Sequence, residues 1–393
     1  MSDSNSRATI QLPEDFFFGE LRPDHTKPAP QAVPPPLGPL AAFSGDFAGV
    51  GFNTIFRPDS AASPTVLPIN PPAVPAHDNI LELNLTSETL SFAKDLGAVP
   101  NRGTDTQPDI TLNGIPYVQQ INDITIRGES TPIHFEPGLW MFVPQTVVPN
   151  IAATVTRMAS IPHGTTIDAQ GLVTNPAPGP PNIHPVDITP FVTATNAPVK
   201  FPSQTAANGN TLRIPQDLTP LSTRITQAML GNPNSLLVDQ ISKQTILSTT
   251  TILISTDPAA PLFGGGTANI AFLLGQPAPS PNPNANAVLM TAVFWIETVQ
   301  EVFTIDHYRV GSPPLLLRAT ASVPGQRVAR FKVTPPFDID PAKPRKFTVA
   351  FTQIQYSQNV TLNFKGLSWP HVSVNTLVPA DPIVVNSTNG TWT

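Results

Sequence analysis

The chain contains no cysteine among its 393 residues. This absence excludes disulfide bonds, thiolate metal sites and cysteine nucleophiles. Charged residues make up only 12% of the sequence, with 21 lysines and arginines and a net charge of −6. Because phosphate binding needs clustered cations and the sequence shows no basic block, we expect no nucleic-acid partner.

Long apolar runs are also missing. No stretch approaches the roughly 20 apolar residues that a membrane-spanning helix requires. The first nine residues contain no apolar segment of the kind found in a secretory signal peptide. We therefore expect a cytoplasmic protein with no membrane partner.

Proline is abundant, and its 49 residues argue against a helix-rich protein because proline breaks helix interiors. The apolar residues form short runs of Val, Ile, Leu and Phe mixed with Thr, which are typical of β-strands. Roughly ten or more such runs predict an all-β protein with a large antiparallel barrel or sandwich and long insertions. The run from Ala287 to Val299 is apolar on both faces, so we expect this strand to be covered on both sides.

The composition divides the chain into three predicted regions. Residues 1–40 form a proline-rich N-terminal extension, residues 41–380 a single β-barrel domain, and residues 381–393 a C-terminal tail. The extension contains the consecutive aromatics Phe16, Phe17 and Phe18. Since three exposed aromatics would promote aggregation, we expect them to pack on the domain or on a neighbouring molecule.

One or two short helices are predicted between residues 218 and 244. Thr219 suits an N-cap, Pro220 suits the first helical position, and Gly231 suits the C-terminal cap. A second short helix is predicted for residues 236–243.

Two motifs in the first half of the predicted barrel are more specific. In the first, small or aromatic residues recur at every second position: Gly45, Phe47, Gly49 and Gly51. Glycines in a first barrel strand permit sharp coiling and a close approach by a crossing strand. The second motif reads His-x-Glu-x-Gly-x-Trp and comprises His134, Glu136, Gly138 and Trp140.

Together with the string Trp-Pro-His-Val-Ser-Val at residues 369–374, these motifs resemble the nitrobindin-like, fatty-acid-binding-protein-like barrels of the calycin group. The whole chain is similar to a set of bacterial and fungal proteins that carry the label "heme-binding protein". The resemblance covers roughly residues 43–170 and 345–378. It implies a calycin-like, lipocalin-like barrel with heme as the cofactor.

The resemblance further implies that His371, on the last strand, is the proximal iron ligand. A neutral imidazole binds iron through one nitrogen while the other contacts a partner group. Strand alternation places Trp369, Ser373 and Asn375 on the face of His371 and two valines on the other face. Because the valine face is the more apolar, two arrangements stay open. Either His371 lines a polar pocket while added strands cover the valines, or it points away from the pocket.

His134, Glu136, Trp140 and His163 are the other candidate binding residues. His163 lies in a Pro-His-Gly turn, and a histidine at a strand end can be a ligand or a general base. The alternative is structural: the first two residues fix a turn, Trp140 belongs to the core, and His163 is a turn residue. Tyr117 and Tyr356 are alternative iron ligands.

Three functions follow from this pattern. The first is a barrel that binds a hydrophobic small molecule, with heme as the leading candidate. The second is an enzyme that acts on a hydrophobic metabolite in the same barrel, with His134, Glu136 and His163 as its polar groups. The third is a structural or assembly protein with a jelly-roll-like fold. The sequence leaves a homo-oligomer open.

Overall fold

Ten long strands form a closed antiparallel barrel in which each strand pairs with the next and β10 pairs with β1. The alternating apolar patterns thus become strands with one face inside the barrel. The strands are β1 Gly45–Arg57, β2 Ile80–Phe92, β3 Ile110–Asp123, β4 Thr131–Val143, β5 Thr154–Ile161, β6 Thr165–Val173, β7 Thr245–Ser255, β8 Asn286–Ile305, β9 Arg345–Phe364 and β10 Leu367–Pro379. The predicted all-β antiparallel barrel is confirmed.

The structure is a computed structural model that describes residues 35–71, 78–257, 264–275, 284–385 and 390–393. The predicted packing of Phe16, Phe17 and Phe18 lies outside these residues. Among the described residues, no helix combines the length and apolar character needed to cross a membrane.

Short elements fill the connections between the barrel strands. The described residues include eleven short strands: Val99–Asn101, Thr146–Val147, Asn150–Ile151, Ala177–Pro178, Phe191–Val192, Arg213–Ile214, Gly265–Asn269, Leu315–Arg318, Arg330–Val333, Ile383–Val384 and Gly390–Trp392. The α-helices are α1 Gln227–Gly231, α2 Ser235–Ile241 and α3 Ala271–Leu274, and the 3-10 helices are Gly38–Ala42, Pro202–Gln204 and Thr219–Leu221. Two of the short strands fall in the region predicted as the C-terminal tail.

The helix expected to start at Thr219 is divided into two pieces. A 3-10 turn covers Thr219–Leu221, and α1 begins only after Thr226. Thr226 has extended backbone angles, and its side chain accepts a hydrogen bond from the Met229 amide at 3.3 Å. It is therefore the true N-cap. The second predicted helix is present as α2.

The jelly-roll fold expected for a structural or assembly protein is wrong for this chain, whereas that role itself stays a prediction. A jelly roll pairs its strands through Greek-key connections in two sheets. Here the barrel strands follow one another around a single closed sheet in sequence order.

An apolar core fills one end of the barrel. The 3-10 helix Gly38–Ala42 packs there, and it begins inside the stretch predicted as the extension. Phe43 follows the helix, stacks on Phe92 at 4.7 Å and meets Trp140 edge-on at 5.5 Å. Burial of these large rings stabilises this end of the barrel.

The alternate glycines of β1 face a close approach from β10. A Cβ atom at Gly49 would lie 2.0 Å from the Thr376 carbonyl oxygen, and one at Gly51 would lie 2.1 Å from that of Val374. No side chain fits at these distances, so glycine is required at both positions.

Insertions cover much of the outer face of the barrel. Phe201, from the segment after β6, stacks on Trp369 at 5.5 Å, and Trp369 stacks on Phe364 at 4.8 Å. On β8, Met290 is buried inside the barrel, whereas Trp295 is buried in the outer layer. The prediction that this strand is covered on both sides is confirmed.

Glu297 is buried in the outer layer with a raised pKa. Its Oε2 accepts a hydrogen bond from Gln353 Nε2 at 2.6 Å, whereas Oε1 has no partner among the described residues. Burial raises the pKa of Glu297 to about 8 from an ordinary 4.5, against the effect of the Gln353 hydrogen bond. The folded state therefore holds this proton more tightly than the unfolded state.

We expect the stability contributed by this proton to be present below about pH 4.5 and lost as the pH rises through about 8. The variant Glu297→Gln should lose less stability between about pH 6 and pH 9, because it has no proton to release. Urea unfolding at the two pH values measures this, with the exposed Glu129→Gln as control. Equal losses in Glu297→Gln and the wild type would contradict the prediction.

Candidate functional site

Arg157 is the centre of a charged group inside the barrel. It lies on the inward face of β5 and is 2% exposed. Its guanidinium donates to Glu136 Oε1 at 2.5 Å, to the Tyr117 hydroxyl at 2.7 Å and to Gln358 Oε1 at 2.7 Å. The Tyr117 hydroxyl also donates to Glu136 Oε1. A buried ion pair of this kind is tolerated because nearly all of its donors and acceptors are used.

Aromatic rings surround the same guanidinium. Its Cζ lies 5.5 Å from the ring centre of Tyr117, 5.8 Å from Trp140 and 5.4 Å from Phe294. These contacts add cation–π attraction to the ion pair. Trp140, a predicted site residue, is thus part of the apolar core and of this shell.

The charge state of the group follows from its partners. Burial alone would raise the pKa of Glu136, but the Arg157 charge and His134 hold it at about 2. Burial raises the pKa of the Tyr117 hydroxyl well above its usual range. At neutral pH the group is therefore carboxylate, guanidinium and neutral phenol.

A second buried carboxyl group, that of Glu88 on β2, has a raised pKa, whereas the pKa of Glu136 is lowered. It accepts hydrogen bonds from Tyr356 Oη at 2.6 Å, Gln119 Nε2 at 2.7 Å and Asn375 Nδ2 at 2.9 Å. No cation bonds to it among the described residues, and burial raises its pKa to about 7 despite the hydrogen bonds from Tyr356 and Gln119. Glu88 can therefore gain or lose a proton near neutral pH.

Gln119 joins the two carboxyl groups. Its Oε1 accepts from Arg157 at 3.3 Å while its Nε2 donates to Glu88 at 2.7 Å. The barrel interior thus contains one continuous polar network, with an ionised carboxylate on one side and a titratable one on the other.

His371 faces the barrel interior and is half-buried. Asn53 Nδ2 donates to His371 Nε2 at 2.8 Å and to Ser373 Oγ at 2.8 Å. Val372 and Val374 are buried in the outer layer. Of the two arrangements left open by the sequence, the structure has the one in which the histidine face is polar and the valine face is covered.

Alternation predicted that Trp369 shares the face of His371, but the two side chains lie on opposite faces of the strand. Its ring belongs to the outer aromatic stack, and its indole nitrogen donates to the Phe364 carbonyl oxygen at 3.1 Å. Trp369 lies close to the β9–β10 turn, where this hydrogen bond across the hairpin fixes the ring.

The structure brings His134, His163 and His371 together at one end of the barrel, here called the histidine end. The rings of His134 and His163 lie 6.1 Å apart. Nε2 of His134 donates to Glu136 Oε2 at 3.1 Å, and that of His163 donates to the Ile133 carbonyl oxygen at 3.2 Å. Burial, and then the neighbouring His134 and His163, lower the pKa of His371 to about 3.

This end of the barrel offers few metal ligands. Within the described ranges, no group of three or more histidine, aspartate or glutamate side chains could hold a metal ion. His134 is hydrogen bonded to Glu136, and Glu136 also accepts a hydrogen bond from Arg157. Of the three histidines, His371 is the one that faces the barrel interior and is not bonded to a carboxylate.

The sequence interpretation assigned no role to Arg157 or Glu88. Arg157 was marked by a usable signal, because it is a charge between the inward apolar residues Val155 and Ala159. Glu88 was not marked in this way, because the polar Asn84 and Thr86 precede it on the same face of β2.

Two cavities lie outside the barrel. One, of about 390 Å³, is bordered by the insertion residues Asp187, Lys200 and Gln227. The other, of about 370 Å³, lies against the outer wall of β1–β3. Neither is lined by the three histidines.

The fold defines this chain as a closed ten-stranded antiparallel β-barrel protein. No protein-family model and no curated protein matches the sequence. Among solved structures it is similar to one titled "Crystal Structure of Rv2717c from M. tuberculosis", with 10% identity and a TM-score of 0.32 over 88% of this chain and 98% of that chain. Similarity at this level carries no argument about function.

Proposed function

We propose that the barrel binds a small hydrophobic molecule at the histidine end, with His371 as its main polar contact. The position and charge state of His371 carry this proposal. It is half-buried, faces inward and has a pKa of about 3, so the imidazole is neutral at physiological pH. A neutral imidazole offers a nitrogen lone pair to a ligand or a metal.

Heme is the ligand that the sequence resemblance favours, and the donor at His371 fits it. His371 would hold the iron, and Asn53 would orient the ring as its hydrogen-bonding partner. Because Nε2 accepts from the Asn53 amide, it carries the lone pair of the neutral ring and Nδ1 carries the proton. An iron would therefore bind Nε2 if it displaced this amide, or Nδ1 if the ring proton moved to Nε2. A bound heme would supply an iron that can bind small ligands and change oxidation state.

Absorption spectroscopy of protein purified with heme tests this assignment. We expect a Soret band in the wild type and its loss or strong shift in His371→Ala, because the iron loses its axial ligand. The exposed His184→Ala is the matched control and should retain the band. Tyr117→Phe and Tyr356→Phe test the alternative ligands.

Circular dichroism of His371→Ala establishes that the barrel is still folded. A Soret band that is unchanged in folded His371→Ala would overturn the assignment of His371. The absence of any Soret band in the wild type would overturn heme as the ligand.

Glu88 favours a second candidate, an enzyme that acts on a hydrophobic metabolite in the same barrel. A carboxyl with a pKa of about 7 is suited to general acid–base catalysis. Glu136 is less suited, because Arg157 holds it ionised. Turnover of a peroxidase substrate by heme-loaded protein, lost in Glu88→Gln, would favour this candidate over simple binding.

A further inference from the structure

Three arginines form a cluster on the outer surface. Arg318 and Arg330 lie directly opposite each other on the paired strands Leu315–Arg318 and Arg330–Val333. Directly opposed residues of an antiparallel pair point to the same side, and like charges there are unfavourable. Arg327, in the preceding turn, completes the group, here called the arginine cluster.

Two members of the cluster converge on one atom. Arg330 Nη2 donates to the Ala380 carbonyl oxygen at 2.5 Å, and Arg327 Nη2 donates to the same oxygen at 3.1 Å. Neither forms a salt bridge within the described part of the chain, although the charge of Asp381 acts on Arg327. Most of their N–H donors are therefore available to a ligand.

The surrounding segment is strongly basic in an acidic protein. Residues 309–346 contain eight of the 21 lysines and arginines but only two of the 27 acidic residues. A local excess of positive charge raises the concentration of anions at the surface. The sequence interpretation found no basic block because these cations are spread over many residues.

A cavity of about 370 Å³ adjoins the cluster. It lies between Arg327 and the outer wall of the barrel, where Ser87, Thr89, Gln120 and Asn122 line it. Glu88 also borders the cavity, but its carboxylate is hydrogen bonded inside the barrel. The cavity thus pairs a guanidinium with hydroxyl and amide side chains.

We propose that this cavity binds a small phosphorylated polar molecule. Arg327 contacts the phosphate, because a guanidinium matches phosphate oxygens in charge and geometry. Ser87, Thr89, Gln120 and Asn122 contact the hydroxyl groups of the ligand body. Arg330 and Arg318 add to the positive field. The site lies outside the barrel and is independent of the function proposed for the histidine end.

Isothermal titration calorimetry of the full chain tests the proposal with three probes: glucose 6-phosphate, glucose and inorganic phosphate. We expect glucose 6-phosphate to bind with a Kd of about 1 mM or tighter. Inorganic phosphate should bind more weakly, and glucose should not bind. Arg327→Gln should weaken glucose 6-phosphate binding about tenfold or more, because it removes a charge-assisted hydrogen bond.

Lys343→Gln is the matched control, because it removes the same charge from the same basic segment and does not line the cavity. It should leave the affinity within about twofold of the wild type. Equal weakening by Lys343→Gln would show a general charge effect and overturn the site, as would unchanged affinity in Arg327→Gln. Inorganic phosphate binding as tightly as glucose 6-phosphate would overturn the role of the polar wall.

Discussion

Replacing Glu136 with glutamine is expected to destabilise the protein by about 3–5 kcal/mol, the usual cost of breaking a buried ion pair. The substitution keeps the shape of the side chain but leaves the Arg157 charge inside the barrel without a counter-ion. Arg157 and Glu136 are 2% and 0% exposed, so water cannot replace the lost carboxylate. Urea unfolding of Glu136→Gln against the wild type measures the loss.

The exposed pair Arg102–Asp109 provides a matched control. Its N–O distance is also 2.5 Å, but its side chains are 78% and 53% exposed. Asp109→Asn should change stability little, because solvent screens the pair. The double variant Glu136→Leu with Arg157→Met should recover much of the loss. A Glu136→Gln variant as stable as Asp109→Asn would contradict the importance of the buried pair.

The same pair predicts the response to acid. The pKa of Glu136 is lowered to about 2 from an ordinary 4.5. Its contribution to stability is therefore present above about pH 4.5 and is lost as the pH falls through about 2. The stability of Glu136→Gln should depend less on pH across this window.

Replacing Arg213 with methionine is expected to destabilise the protein by about 3 kcal/mol or more, since orphaned buried carbonyl groups cost about 1–3 kcal/mol each. Arg213 is 0% exposed and lies within the long connection between β6 and β7. Its guanidinium donates to six backbone carbonyl oxygens, those of Ser203, Thr205, Ala206, Asn208, Pro215 and Gln216. One side chain therefore organises this whole loop.

Arg224→Met is the control for this prediction. Arg224 donates to the carbonyl oxygens of Thr125 and Ile124, both at 3.3 Å, and is only partly buried. Its loss should cost about 1 kcal/mol or less. Hydrogen exchange in Arg213→Met should be fastest at residues 203–216, because these lose their common donor. A similar stability for the two variants would show that water replaces the guanidinium.

The barrel could be predicted from sequence because alternation is a local signal. In β8, apolar residues at both odd and even positions correctly indicated two covered faces. The division of the predicted helix at Thr226 was not visible, because Thr219 and Thr226 are equally good N-caps and only the backbone path distinguishes them. Strand pairing across the chain likewise has no local signal.

The polar group around Arg157 likewise depends on strand pairing that the sequence does not reveal. His134 and Glu136 are two residues apart on one strand, so the sequence places them on one face. Arg157 joins them only through the pairing of β4 with β5, and it lies opposite Trp140 rather than Glu136. Its long side chain then reaches the carboxylate inside the barrel. A charge on an apolar strand face marks such a residue, but its partner depends on the closed fold.

The pairing of β1 with β10 has a consequence for synthesis of the chain. The hydrogen bond from Asn53 to His371 crosses this seam and joins residues 318 positions apart. At about 5–20 residues per second, the ribosome takes roughly a quarter of a minute to a minute to make that length. During this time one edge of β1 has no partner and can pair with other chains. Closure of the seam is therefore a late folding step, and the nascent chain is most exposed to aggregation before β10 emerges.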